Sequence, residues 1–173
     1  MGLEYAEVIK RAPVQRFLLK FWLSDVPVQH LILVSPFVGT LEGARVSLRA
    51  ICRRASERQI PTYVITRGPE EDYQREAVQG LQTYDPIELR FNQSLHAKLY
   101  VCTCEDESKS IALLGSANLT RASIENNIEI GMMIYGRGRG RIILRELSRW
   151  GLERLRTLSE TELVKRIHYG RRS

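Results

Sequence analysis

Apolar positions along the chain change period several times, and each change marks an element. Residues 13–22 place Val14, Phe17, Leu18, Phe21 and Trp22 at helical spacing with Arg16 and Lys20 between them. That predicts an amphipathic helix in need of a surface to pack on. After His30, the even apolar run Leu31-Ile32-Leu33-Val34 stops at Ser35-Pro36, the pattern of a central strand covered on both faces. Thr40 is expected to cap a helix whose apolar stripe is Ala44, Leu48, Ile51, Cys52 and Ala55, with Arg45, Arg49 and Arg53 on a solvated face. Residues 61–66 predict a second strand. Pro69 with Glu70, Glu71 and Asp72 predicts a helix start, and that helix runs to Leu81. The turn Asp85-Pro86 leads into a third strand, Ile87 to Phe91.

The second half has a different rhythm. Residues 96–104, 110–114 and 127–135 read as strands, the first two joined by the acidic hairpin loop Glu105-Asp106-Glu107-Ser108. A glycine-arginine run over residues 136–140 precedes a predicted helix from Arg141 to Leu158, weakened by Gly151 at a cost of about 1 kcal/mol. Ser159 with Glu162 predicts a capping box for a last short helix. Alternating strands and helices followed by hairpin-linked strands imply an α/β fold, a mixed sheet flanked by helices on both faces. One domain is expected, with its core over residues 28–136 and a basic helical segment over 137–173.

Composition narrows this only slightly. With 173 residues, 43% hydrophobic and 27% charged, the chain is long enough for a sizeable core. No stretch approaches the roughly 20 apolar residues that cross a bilayer, so no stable membrane association is expected. Glu4 and Glu7 interrupt the N-terminus, which does not read as a signal peptide, and a cytoplasmic location is the expectation. Cys52, Cys102 and Cys104 are expected as buried, reduced thiols, because Cys-x-Cys on one strand makes a poor disulfide and a zinc site wants more ligands. Charge is the informative feature. Residues 137–173 hold 11 Lys/Arg against 4 Asp/Glu, while the preceding residues are close to neutral. Such asymmetry fits a polyanionic partner or a solubilising surface.

Candidate chemistry gathers in residues 96–129. It consists of His96-Ala97-Lys98, then Gly115-Ser116-Ala117-Asn118-Leu119-Thr120, then Asn127-Ile128-Glu129. Strand alternation puts His96, Lys98 and Tyr100 on one face and Asn127 and Glu129 on another, leaving Ile128 and Ile130 for the core. Each residue alone has a bland structural reading. Together they supply a nucleophile or base, a cation, neutral donors and a carboxylate, a set suited to attack on a phosphodiester without a metal ion.

His-x-Lys followed by Gly-Ser-x-Asn resembles the HKD motif of the phospholipase D superfamily. The resemblance implies a phospholipase D-like α/β fold. Members of this kind pair two motif copies across a pseudo-twofold axis, and this chain has one copy. It looks like the single-motif bacterial nucleases, which implies a homodimer with one shared site and no cofactor. His96, Lys98, Ser116, Asn118 and Glu129 are then the implied catalytic set. Where the fuller motif carries an aspartate this chain has Thr103, and Glu129 is the candidate replacement.

Nucleic acid, DNA first, is the expected substrate, with Arg67, Arg121, Asn127, Arg137, Arg139 and Arg141 as candidate backbone contacts. Sequence specificity would need another domain or subunit. Two other readings remain open: a phospholipase or phosphatidyltransferase, for which helix 13–22 hints at a lipid-facing surface, and a degenerate nucleic-acid-binding subunit.

Overall fold

The apolar runs in the middle of the chain assemble into one eight-stranded sheet in the computed structural model, which describes residues 4–168. Its strands are β1 (Ala6–Ile9), β2 (Val28–Val34), β3 (Thr62–Thr66), β4 (Ile87–Phe91), β5 (Leu99–Cys104), β6 (Ile111–Gly115), β7 (Gly131–Tyr135) and β8 (Glu162–Lys165). They lie in the order β1-β7-β6-β5-β2-β3-β4-β8. β2, β3 and β4 are parallel, joined by α2 (Leu48–Glu57) and α3 (Asp72–Gln82); every other pairing is antiparallel. The expected change from crossover to hairpin connections therefore falls at the β2–β5 pairing.

Both faces are covered. α1 (Pro13–Trp22), α2 and α3 bury Phe17, Leu18, Phe21, Ile51, Cys52, Ala55 and Leu81 against one face. α1 thus spends its aromatic stripe on the sheet, which removes the hint of a lipid-facing helix. On the other face lies α5 (Gly140–Arg149), which widens into π geometry over Trp150–Leu155. Gly151 sits in that wide turn, where a Cβ would stand 3.1 Å from Ile32 Cγ2. The predicted weak point is where the helix packs closely on Ile32 of β2.

Several boundaries differ from the sequence expectations. Ser47, not Thr40, caps α2, its hydroxyl accepting from the Ala50 amide at 3.2 Å. Pro69 precedes α3 rather than opening it, and a reciprocal Glu71–Gln74 box starts that helix. The acidic loop holds a 3₁₀ turn, Glu107–Lys109, capped by Asp106. β1 and the short helix α4 (Arg121–Glu125) lack an apolar period and were not expected. The last segment is a strand, not a helix. β8 lies antiparallel to β4, and Thr161, in place of a capping box, donates from its buried hydroxyl to Leu155 O while accepting from Asn92 Nδ2. All three cysteines are buried and free, and burial pushes the Cys52 thiol up to about 12. Among the described residues, no helix is long and apolar enough to cross a membrane.

His30 is a half-buried histidine at the start of β2's apolar run. Its Nε2 lies 3.0 Å from Ser148 Oγ on α5, and burial pushes the imidazole down to about 4. An unfolded chain binds a proton near pH 6.5 that the folded ring refuses, so stability present at neutral pH is lost as the pH falls from 6.5 toward 4. Urea unfolding across this window is expected to show up to about 1.4 kcal/mol per pH unit from this residue. His30→Gln is expected to flatten that slope.

Candidate active site

Parallel strands bring their carboxyl ends to one edge, where loops can gather polar groups. Here Val34, Thr66 and Phe91 end β2, β3 and β4 beside the start of β5, the end of β6 and the start of β7, since Val34 pairs with Leu99, Leu99 with Leu114, and Gly115 with Gly131. The candidate residues lie just beyond these rows. His96 and Lys98 are not in a strand, as alternation had suggested, but in the extended segment before β5. Asn127 to Ile130 likewise precede β7.

The segment carrying His96 is held from both sides. Leu95 is buried, and its carbonyl accepts from Arg67 Nε at 2.7 Å. Arg67 follows β3, with its guanidinium 5.5 Å from the centre of the Phe37 ring. Lys98 Nζ donates to the His96 carbonyl at 2.9 Å. Partial burial, then the Arg67 guanidinium, lower the Lys98 pKa, and Glu129 acts in the opposite sense. Arg67 and Glu129 thus both act on the Lys98 ammonium. The His96 ring is exposed and makes no hydrogen bond within the chain among the described residues.

The Ser116–Asn118 turn is fixed more tightly. Tyr100, fully buried in β5, donates its hydroxyl to Ala117 O at 2.8 Å. Ser35, at the end of β2, accepts from the Leu119 amide at 2.9 Å, and the Gly39 amide donates to Leu119 O at 2.8 Å. A Cβ at Gly115 would collide with the Ile130 carbonyl, so only glycine lets the two segments meet. Ser116 N donates to that carbonyl at 3.0 Å, and Ile130 N returns a bond to Ser116 Oγ at 3.1 Å. Tyr100 and Ser35 are positioning residues that motif reading missed; the signal for Tyr100 was its place two residues beyond Lys98.

Glu129 is 9% exposed. Its carboxylate accepts from the Ser116 hydroxyl and from Asn127 Nδ2, the latter at 3.3 Å. The expected burial is inverted here: Ile128 and Ile130 are exposed, and the acid between them is inside. Within one chain no hydrogen bond joins Glu129 to His96. Asn118 Nδ2 belongs to an amide whose Oδ1 is buried without a partner, although its backbone amide donates to Ser123 Oγ at 3.1 Å.

Other candidates divide by location. Arg121 is in α4, just after Asn118, and pairs with Glu125 at 2.7 Å. Arg137, Arg139 and Arg141 follow Tyr135 at the opposite end of β7, about 14 Å along the strands from Gly131. They are not brought to the site. Thr103 is also remote: it pairs with His30 near the far end of β5 and donates to the His30 carbonyl at 3.4 Å. A side chain at the motif's aspartate position therefore does not reach the His96 end of this fold.

This geometry places a single free imidazole, two cations, an amide and a sheltered carboxylate on one strand-end surface. The chain belongs to the family described as Cardiolipin synthase, PLD-like domain, which it matches over residues 29–150. It is therefore a phospholipase D-like protein. No curated protein matches it. Among solved structures it is similar to Nuc of Salmonella typhimurium, a phospholipase D family member, at 16% identity and TM-score 0.54, covering 93% of this chain and 99% of that one. NucT from Helicobacter pylori is similar at 16% identity and TM-score 0.60, over 91% and 98%. Phosphatidylserine synthase from Haemophilus influenzae matches at 13% identity and TM-score 0.60, over 92% of this chain but 39% of that one. These likenesses establish the fold.

Ser116 joins the turn, the Ile130 backbone and the Glu129 carboxylate. Ser116→Ala leaves a buried carboxylate with Asn127 as its remaining side-chain donor and orphans the Ile130 amide. A stability loss of about 1–3 kcal/mol is expected in urea unfolding at pH 7.

Proposed function

We propose that the chain is a phosphodiesterase that hydrolyses nucleic acid through a phosphohistidine, at a site completed by a second copy. The observation carrying this reading is the unbonded, exposed His96 on a segment held by Lys98 and Arg67, with Asn118 on the neighbouring turn after β6. One ring nitrogen of His96 attacks phosphorus, and the P–O bond to the leaving oxygen breaks. A second imidazole gives that oxygen its proton, then takes one from water as the water attacks the phosphohistidine and frees His96. Lys98 and Asn118 stabilise the added negative charge on phosphorus. Because the chain supplies this charge, turnover is expected to persist in EDTA.

A second histidine has to come from elsewhere. His30 is half-buried beside Ser148 on α5, and the His168 backbone pairs with Asp85 before β4, so neither reaches the strand-end surface. A twofold partner supplies the missing ring. An apolar row beside the site offers the contact: Val8, Met132 and Leu114 are cross-strand neighbours, with Val8 52% and Met132 41% exposed. Ile130 and Ile128 extend the row past the end of β7.

That same row also favours a second reading, phosphatidyl transfer at a lipid surface, in keeping with the family's description. The basic balance of residues 137–173 and the coverage of nearly all of Nuc and NucT favour the first.

Plasmid DNA, RNA and phospholipid vesicles incubated in EDTA with purified protein separate the readings. Nicking of nucleic acid, reduced at least about a thousand-fold by His96→Ala, is expected; turnover of lipid alone would support the second reading. Met132→Glu is expected to convert a dimer into a monomer by light scattering and to lose activity in step. Full activity from a verified monomer would overturn the shared site.

A further inference from the structure

Arg137, expected at the catalytic end, instead lines a cleft at the other end of the sheet. α1 runs between the two ends. Its first residue, Pro13, packs against Gly131 at the catalytic end, and Lys20, near its last turn, lies over Tyr135 at the far end. Lys20 Nζ and Arg137 Cζ are each 5.4 Å from the Tyr135 ring centre. Between α1 and the 3₁₀ turn Glu107–Lys109 opens a cavity of about 480 Å³.

Its rim carries Arg16, Lys20, Lys109 and Arg137, with Asp25 the one carboxylate among the lining residues. Arg16 is neutralised by Glu7 at 2.7 Å, and Glu7 also accepts from the Tyr135 hydroxyl. Lys20, Lys109 and Arg137 form no ion pair among the described residues. All three are exposed. The contrast is with α5, where Glu107 holds Arg141 and Arg145, and where Arg149 pairs with Glu146. Three cations without a direct ion pair outnumber the one lining carboxylate, Asp25, so the cleft carries a net positive charge that favours a polyanion.

We propose that this cleft is a second nucleic-acid contact, an exosite that takes backbone phosphates of a strand whose scissile phosphate lies at His96. The inference rests on the nucleic-acid reading of the site. α1, ten residues from Pro13 to Trp22, is about 15 Å long, the length of four or five phosphates on one strand of a duplex. Short oligonucleotides therefore reach one end and not both, while long ones gain from linking two weak contacts.

The test compares 4-nucleotide and 30-nucleotide DNA, single- and double-stranded, binding to full-length His96→Ala protein by fluorescence anisotropy, with and without Lys20→Glu/Arg137→Glu. Lys109→Glu, on the exposed turn, is the second variant and leaves the Tyr135 packing intact. Affinity for the 30-mer is expected to fall at least tenfold in the double variant and several-fold in Lys109→Glu. The slope of log affinity against log salt is expected to shrink by about two phosphate contacts in the double variant. Binding of the 4-mer, and turnover of bis(p-nitrophenyl) phosphate by the same variants with His96 restored, are expected to be unchanged. Unchanged 30-mer affinity in both variants overturns the exosite, and so does loss of phosphatidylglycerol-vesicle binding with DNA binding intact. Protein that turns over no diester, yet loses 30-mer binding on charge reversal, would sink the catalytic reading and leave the exosite standing.

Discussion

The site depends on a carboxylate kept out of water. Glu129 is buried between two exposed isoleucines, and an isolated carboxylate in such a place costs more than any single hydrogen bond returns. Donors from two segments offset that cost, Ser116 from the turn after β6 and Asn127 from the approach to β7. Lys98 adds a positive charge from the third segment, ahead of β5. The three motif fragments are thus bound together through one acidic group, although 34 residues of sequence span them. Tyr100 and Ser35 then tie the same turn to the centre of the sheet, which gives a loop-borne site the rigidity of a strand.

Much of this was legible because the signals were long and regular. α1, α2 and α3 announced themselves by a 3.6 period, and β2 to β4 by short apolar runs bounded by proline or polar turns. What failed were elements without a period of their own. β1 is four residues at an edge, α4 is a single capped turn and a half, and β8 pairs only because β4 leaves an edge open. The Ser159–Glu162 spacing fits a capping box locally, but Thr161 is drawn into a buried network with Asn92 and Leu155, and tertiary bonding overrides the local preference.

Site chemistry was readable as residue types in order, not as geometry. Strand alternation put His96 and Lys98 on one face, but the ladder begins only at Leu99, so their proximity comes from a bond between Lys98 and the His96 backbone. Alternation also placed Ile128 and Ile130 inside and left Glu129 out. The reverse holds because the loop before β7 is bent toward Ser116, and no period governs a loop. The arginines after Tyr135 were misplaced for a topological reason. A strand reverses which end of the sheet its neighbours in sequence occupy, and β7 carries Asn127 and Arg137 to opposite ends.

The outermost strands have a further consequence. β1 and β8, four residues each, close the two margins of the sheet, and both come from near the termini of the described chain. Every longer strand is therefore shielded from edge-to-edge pairing by a short, partly charged ribbon: Glu7 lies on one, Glu162 and Lys165 on the other. A cut or truncation that frees β8 bares the backbone of β4 beside the half-buried Glu88–Arg90 pair. The result to expect is self-association through that margin before any change at the opposite side of the fold.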